Sequence, residues 1–496
     1  MSTTSIHGQW SSRMAFILAA TGSAVGLGNI WKFPYITGEY GGGAFVIVYL
    51  LCIALVGLPV MMAEVMLGRR GRCSPINTMR KLAQEAGKTQ LWQILGWSGV
   101  IAGFLILSFY SVVAGWALAY IPRLASGMFT AATADFVGNQ FDNLVGDPLR
   151  LLAWHTAFMI VTITMVAGGV QGGLERSVRW MMPALFAVLL VLVGYAMSTP
   201  KFMEGVHFLF HVDFTKLFYP KGEFSGEGIL AAMGQAFFSL SLGMGAIMVY
   251  GAYLPKEASI AQTTAAVVIA DTLVAILAGL VIFPIVFSNG LEPGAGPGLV
   301  FQTLPIAFGQ MPFGSLFGTL FFILLALAAW SSAISLIEPM AAWLIETGKF
   351  NRLSATITCG ITAWLVGLLT IFSFNIWSDV KPLFDKTFFD LIDYLTSNIM
   401  LPLGGLFIAI FVAWLMKRQI ITEELEASPN GLGFRIWYFL LRYVTPLGVG
   451  LVFLNAIGVL SEIVEKLIQL LILIGYYWSN LLILIGHYWS NLLSLL

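Results

Sequence analysis

Asp271 lies in the apolar run TTAAVVIADTLVAILAG. A carboxylate among such residues is costly unless a cation or a proton neutralises it. Other oxygen donors occur in equally apolar surroundings: Asn29, Ser239, Ser241, Ser331 and Ser332. Hard cations such as sodium take oxygen ligands, so these residues together fit an oxygen-lined cation pocket. Ionisable groups within apolar segments mark function by default, and four more need an account: Glu64, Glu338, Asp393 and Lys32. Glu64 is suited to holding free N–H groups of a broken first helix. Lys32 and Asp393 fall towards one side, where solvated loop charges are the alternative.

The backbone adds further donors. Residues 19–34, AATGSAVGLGNIWKFP, carry Gly22, Gly26 and Gly28 inside a segment long enough to span a bilayer. Each glycine costs a helix interior about 1 kcal/mol relative to alanine, so the helix is expected to unwind there. Unwound backbone at membrane depth is tolerated only where protein, water, ions or a ligand satisfy it. Residues 239–245, SLSLGMG, interrupt a later apolar segment in the same way. Paired interruptions early in two halves of a chain point to a transporter binding site. Close helix packing is the alternative use of such glycines.

The elements that carry these residues are membrane spans. Of 496 residues, 58% are hydrophobic and 10% charged, against about 25% charged in soluble proteins. The chain is therefore an all-α polytopic membrane protein. Its zero net charge gives no pointer to nucleic acid. Cys52, Cys73 and Cys359 have spacings of neither a metal site nor a disulfide framework. No nucleophile–base pair suggests an enzyme. The N-terminus lacks a cleavable signal pattern, so the first span is expected to persist. Spans are expected near residues 14–37, 44–67, 91–120, 151–167, 178–197, 226–253, 263–287, 313–346, 355–374, 388–415 and 434–454. Residues 198–225 read as an outer loop, and 299–308 as a short outer helix. Arg69, Arg70, Arg72, Arg80, Lys81 and Lys88 make 68–88 the most basic loop. Basic loops stay in the cytoplasm, which puts the N-terminus there too. Residues 459–496 form an apolar tail with an 11-residue repeat, LILIGYYWSNL then LILIGHYWSNL. Eleven residues are about three helical turns, so the tail reads as a twelfth span or an interfacial helix. It is assigned no transport chemistry, and His487 is read as incidental.

The motifs GSAVGLGNIWKFPY, GGGAF, QAFFSLSLGMGA and AAWSSAISLIEP resemble those of the neurotransmitter:sodium symporter family, with its bacterial LeuT-like amino-acid transporters. The resemblance covers residues 10–458. It implies a LeuT-type fold with two inverted five-helix repeats (about 14–198 and 226–416) and one or two C-terminal helices. It also implies symport of an amino acid with sodium by alternating access, in the inner cell membrane. The first sodium site would be Ala24, Asn29, Ser239 and Asp271, joined by the substrate carboxylate. The second would be Gly22, Val25, Ala328, Ser331 and Ser332. Substrate would meet the freed N–H groups of Leu27 and Gly28, the Tyr110 hydroxyl, and carbonyls near Ser23, Phe238 and Ser239. Its side chain would lie among Ser23, Ile106, Val113, Phe238, Ser241, Met244, Ser332 and Leu336. Lys32 and Asp393 would form an outer gate with Phe238 as lid, and Trp10, Tyr253 and Glu346 an inner one.

Departures from the family pattern carry meaning. Amine-carrying relatives place Asp where this chain has Gly26, so the substrate must bring its own carboxylate. A bulky hydrophobic or aromatic amino acid is expected. His7 replaces the usual Arg before Trp10, which implies a weaker or pH-dependent inner gate. Asp271 stands where many relatives have Asn, and Ala275 where chloride-dependent relatives have Ser, so transport is expected without chloride. Proton coupling through Asp271 and a non-translocating receptor are the alternatives. The oligomeric state is left open.

Overall fold

The computed structural model describes residues 7–219, 225–293, 298–456, 459 and 466. The elements are helices, apart from one isolated bridge between Leu383 and Lys386. Apolar segments in a bilayer must satisfy their own main-chain groups, which favours helices. The spans are α1 (Arg13–Ala24 and Gly28–Glu39), α2 (Gly43–Gly71), α3 (Gln90–Ala125), α4 (Pro148–Ala167), α5 (Val170–Met197) and α6 (Glu227–Ser239 and Ala246–Ala252). They continue as α7 (Ile260–Ser288), α8 (Gly314–Glu346), α9 (Arg352–Ser373), α10 (Phe388–Leu415) and α11 (Leu432–Leu454). The two halves of α1 meet at 48°. Those of α6 are separated by residues 240–245. Among the described residues, ten elements are long and apolar enough to span, counting bent α1 as one. The second half of α6 is only a short helix.

Several expected boundaries shift for local reasons. α4 starts at Pro148 because the Asp147 carboxylate caps the N–H groups of Leu149 and Arg150. Residues 198–225 are not plain loop: they hold the helices Phe202–Phe210 and Phe214–Phe218. The basic loop folds into the helix Pro75–Glu85. The short helix expected at 299–308 is present as Leu299–Thr303 running into Leu304–Gln310. The repeated tail lies outside the described residues, apart from positions 459 and 466.

Burial separates the centre from the rim. In α3 and α8, 83% of the most apolar window is enclosed, against 33% in α4 and α5 and 28% in α11. The central pair can therefore carry polar side chains inward, while the rim presents Ile160, Trp180 and Leu190 outward. Glycines let α2 and the second half of α6 touch backbone to backbone. A Cβ on Gly68 would stand 1.9 Å from the Met248 carbonyl oxygen, and one on Gly251 would stand 2.7 Å from that of Val65. Gly68→Val is expected to cost about 1–3 kcal/mol through overpacking, measured as a lower melting temperature or loss of folded protein. Gly194→Ala, whose added methyl meets nothing within 4 Å, should leave melting unchanged or slightly raised. Equal melting of the two variants would refute the backbone contact.

Candidate functional site

The main-chain groups freed by the two breaks find partners on Asn29 of α1 itself and on other helices. After Val25 N–H closes on the Thr21 carbonyl at 2.7 Å, the first half of α1 ends. Gly26 N–H then donates to Asn29 Oδ1 at 3.0 Å, and Leu27 N–H to the Tyr110 hydroxyl oxygen at 3.1 Å. The Gly28 carbonyl accepts from Gln235 Nε2 at 2.7 Å. In α6, Ser241, Gly243 and Gly245 turn into left-handed backbone, with φ of 54°, 76° and 76°. The Ser241 hydroxyl donates to the Ser23 carbonyl at 2.8 Å, tying the two breaks together. Glu64 departs from expectation. Its Oε1 accepts from Gly243 N–H at 2.6 Å, so it supports the α6 break and not α1. The glycine contact between α2 and α6 explains why.

Asp271, Asn29 and Ser239 come together and are fully buried. Asn29 Nδ2 donates to Asp271 Oδ1 at 2.8 Å and to its carbonyl at 3.1 Å. The Ser239 hydroxyl donates to Oδ2 at 2.7 Å and accepts from Tyr49 at 3.3 Å. Among the described residues Asp271 makes no ion pair. Two neutral donors alone meet its charge, which leaves a place for a cation or a proton. Asn29 presents its nitrogen to the carboxylate. Its oxygen is turned to Gly26 N–H, so as a cation ligand it would have to rotate. Ala24 lies alongside and lines the neighbouring cavity.

A second oxygen cluster joins α1 and α8. The Ser331 hydroxyl reaches the carbonyls of Ala328 at 2.9 Å and Val25 at 3.4 Å. The Ser332 hydroxyl reaches those of Val25 at 3.1 Å and Gly22 at 3.3 Å. Two ligands about 2.4 Å from a hard cation and at right angles are about 3.4 Å apart. The contacts are hydrogen bonds, and their lengths are also compatible with oxygens that share one cation.

Between the clusters lies a cavity of about 20 Å³, lined by Ser23, Ala24, Gly26, Gly28, Ile106, Tyr110, Phe238, Ser241, Met244, Ser332 and Leu336. Val113, Leu27 and Ser239, also expected there, are buried but do not line it. Leu27 offers its main chain and Ser239 faces Asp271. This volume holds about one water, so an amino acid needs Phe238, Met244 and Leu336 to move aside. Gly26 is confined. A Cβ there would stand 2.4 Å from Ser332 Oγ and 2.7 Å from the Tyr110 hydroxyl.

Both ends of the cavity are covered. On one side Lys32 Nζ is 3.8 Å from Asp393 and 4.8 Å from the centre of the Phe238 ring. On the other, His7 Nε2 is 3.0 Å from Glu346. Glu346 also accepts from the Ser74 N–H at 2.6 Å, the Ser74 hydroxyl at 2.5 Å and Asn77 Nδ2 at 2.5 Å. These neutral donors surround the carboxylate in addition to His7. Buried Trp10 donates through its main chain to the Tyr253 carbonyl at 3.0 Å, and through Nε1 to that of Tyr250 at 3.1 Å.

Sequence reasoning missed the partner of Glu338. Arg352 reaches it with two N–H groups, at 2.8 and 2.5 Å, and the Tyr253 hydroxyl donates to it at 2.7 Å. The signal was present as an acid in α8 without a cation of its own; Arg352, at the start of α9, is that cation. Glu175 was missed too. It accepts from the Ser11 main chain at 2.9 Å and hydroxyl at 2.5 Å, holding the N-terminal segment to α5.

Comparison with known proteins agrees with this arrangement. The model of the sodium:neurotransmitter symporter family matches residues 7–130 and 143–468. A sodium-dependent transporter of Bacillus subtilis is 41% identical over 455 residues, covering 91% of this chain and 98% of that protein. One from Haemophilus influenzae is 35% identical, covering 90% and 97%. Among solved structures, MhsT in complex with L-phenylalanine is 42% identical with a TM-score of 0.83, covering 90% of this chain and 99% of that one. The broken α1 and α6, the LeuT-type fold and these relatives lead to one conclusion: the chain belongs to the sodium:neurotransmitter symporter family, as a multi-pass, sodium-dependent symporter and not an enzyme.

Proposed function

We propose that the cargo is a bulky hydrophobic or aromatic amino acid, carried inward with sodium bound at two sites and without chloride. The observation that carries this reading is Asp271, a buried carboxylate with two neutral donors and, among the described residues, no cationic side chain beside it. It stands beside a cavity bounded by freed main chain. The first sodium would sit with Asp271, Ser239, Asn29, the Ala24 carbonyl and the substrate carboxylate. The second would sit with Gly22, Val25, Ala328, Ser331 and Ser332. A substrate carboxylate would take the N–H groups at Leu27 and Gly28, where the second half of α1 begins and favours an anion, with Tyr110 as donor. Ile106, Met244 and Leu336 give the side chain an apolar bed. Solved MhsT, with L-phenylalanine bound, supports a substrate of that class. Confinement of Gly26 supports one that brings its own carboxylate, since an aspartate there would collide with Ser332 and Tyr110.

Transport follows by alternate opening. The Lys32–Asp393–Phe238 cover would release substrate to the outside, and the His7–Trp10–Glu346 cover to the cytoplasm. The N-terminus would lie in the cytoplasm, the protein in the inner cell membrane, and the moving repeats would be residues 14–198 and 226–416. A fixed carboxylate at Asp271 supplies the negative charge that chloride brings in chloride-dependent relatives.

Uptake of labelled phenylalanine, leucine, tryptophan and tyrosine into proteoliposomes tests this reading. An inward sodium gradient is expected to drive at least one of them in chloride-free buffer. Uptake that follows a pH gradient without sodium would replace it with proton coupling, and binding without counterflow with a receptor. Asp271→Asn is expected to make uptake chloride-sensitive; a variant indifferent to chloride would remove the fixed-charge role. Ser331→Ala deletes one oxygen of the second cluster, and the sodium concentration for half-maximal uptake should rise about tenfold. No change would take Ser331 out of the cation shell.

A further inference from the structure

At the end of α2 the polypeptide builds a polar cavity that the transport path does not use. Its volume is about 640 Å³, and its wall includes Arg69, Arg70, Arg72, Lys81 and Lys256. Four glutamates share that wall, and most are engaged. Glu424 accepts from Arg69 at 2.6 Å, Glu85 pairs with Arg70, and Glu423 accepts from Gln419 at 3.0 Å. Glu426 is exposed and can turn to solvent.

Arg72 cannot turn away. It is 8% exposed and sits at a left-handed φ of 56°, a costly conformation for a residue with a side chain. Its Nη1 donates to the carbonyls of Leu254 at 2.6 Å and Ala252 at 3.2 Å. Its Nε and Nη2 have no partner among the described residues. A guanidinium with three unused N–H donors on two buried nitrogens, in a side chain that lines a polar cavity, is matched to an anion that enters the wall to accept them.

The cavity borders an apolar groove of about 420 Å³, lined by Ala54, Leu58, Met62, Ala261, Leu425 and Leu440 among others. The two meet at residues 423–427: Glu423, Glu424 and Glu426 face the cavity, while Leu425 and Ala427 face the groove. Along α2 the groove covers residues 54 to 62, about 12 Å of helix, close to the roughly 15 Å depth of one leaflet. A soluble anion would use the cavity alone. An occupant with an anionic head and an apolar chain uses both.

We infer that this paired cavity and groove binds one anionic phospholipid of the cytoplasmic leaflet, its phosphate facing Arg72 and Lys256 and an acyl chain lying between α2, α7 and α11. The leaflet rests on the cytoplasmic N-terminus proposed above; the lipid itself is independent of the cargo. The test is native mass spectrometry of the full-length protein from micelles holding equal phosphatidylglycerol and phosphatidylcholine. The wild type is expected to retain one phosphatidylglycerol, preferred about fivefold per engaged cation. Arg72→Gln should abolish the preference. Lys81→Gln with Lys256→Gln, both at exposed positions, should weaken it without threatening the fold. Ala54→Trp and Ala261→Trp, which fill the groove, should reduce retention of either lipid. Equal retention of the two lipids by the wild type would overturn the proposal. So would unchanged phosphatidylglycerol retention in the tryptophan variants, or its displacement by inorganic phosphate, which would assign the cavity to a free anion. If Arg72→Gln does not fold, the lysine pair and the tryptophan variants decide.

Discussion

Unwound backbone at membrane depth is the constraint on which the other features of the centre rest. Gly26, Leu27, Gly28 and Gly243 expose main-chain groups that continuous helices would have enclosed. Asn29, Tyr110, Gln235 and Glu64 satisfy them from four different helices or half-helices. Each of these side chains is therefore committed to a backbone position before any ligand arrives. That commitment fixes where Tyr110 and Asn29 point, and so the rims of the cavity. The glycines do more than loosen the helix. They also let α8 approach so closely that Ser331 and Ser332 reach α1 carbonyls.

Much of this was legible in the residues. The glycine clusters announced both breaks, because glycines so closely spaced are costly in a continuous helix. Asp271 announced a charge that needed a partner. The ion pair of Lys32 with Asp393 was expected, and the two do meet. Other features were not legible. Glu64 has no sequence signal that tells one break from another, and only the packing of Gly68 against Met248 decides between them. The amide of Asn29 could have faced Asp271 with either end, since oxygen and nitrogen are interchangeable until Gly26 supplies a donor. The helix Phe202–Phe210 was hidden because its aromatic residues suit an outer loop as well as a packed element.

The two proposed gates differ in chemistry. The outer one combines a partly exposed ion pair with a cation resting on an aromatic ring, both of which weaken as water enters. The inner one combines a carboxylate met by several donors with a buried tryptophan, and below it the Glu338–Arg352 pair. Separating a buried pair of that kind leaves an uncompensated charge. The His7–Glu346 side is thus the more firmly bonded of the two, and His7 sits within a set of other contacts.

Tyr253 occupies an unusual position in that set. Its carbonyl holds the N-terminal segment through Trp10, and its hydroxyl holds the α8–α9 pair through Glu338. Two elements far apart in sequence thus share one residue as a common anchor. A displacement of Tyr253 strains both attachments at once, whereas fraying of either element alone leaves the other in place. If this end opens as the proposed inner gate, opening there would be concerted: detaching only one element would leave the other attachment in place.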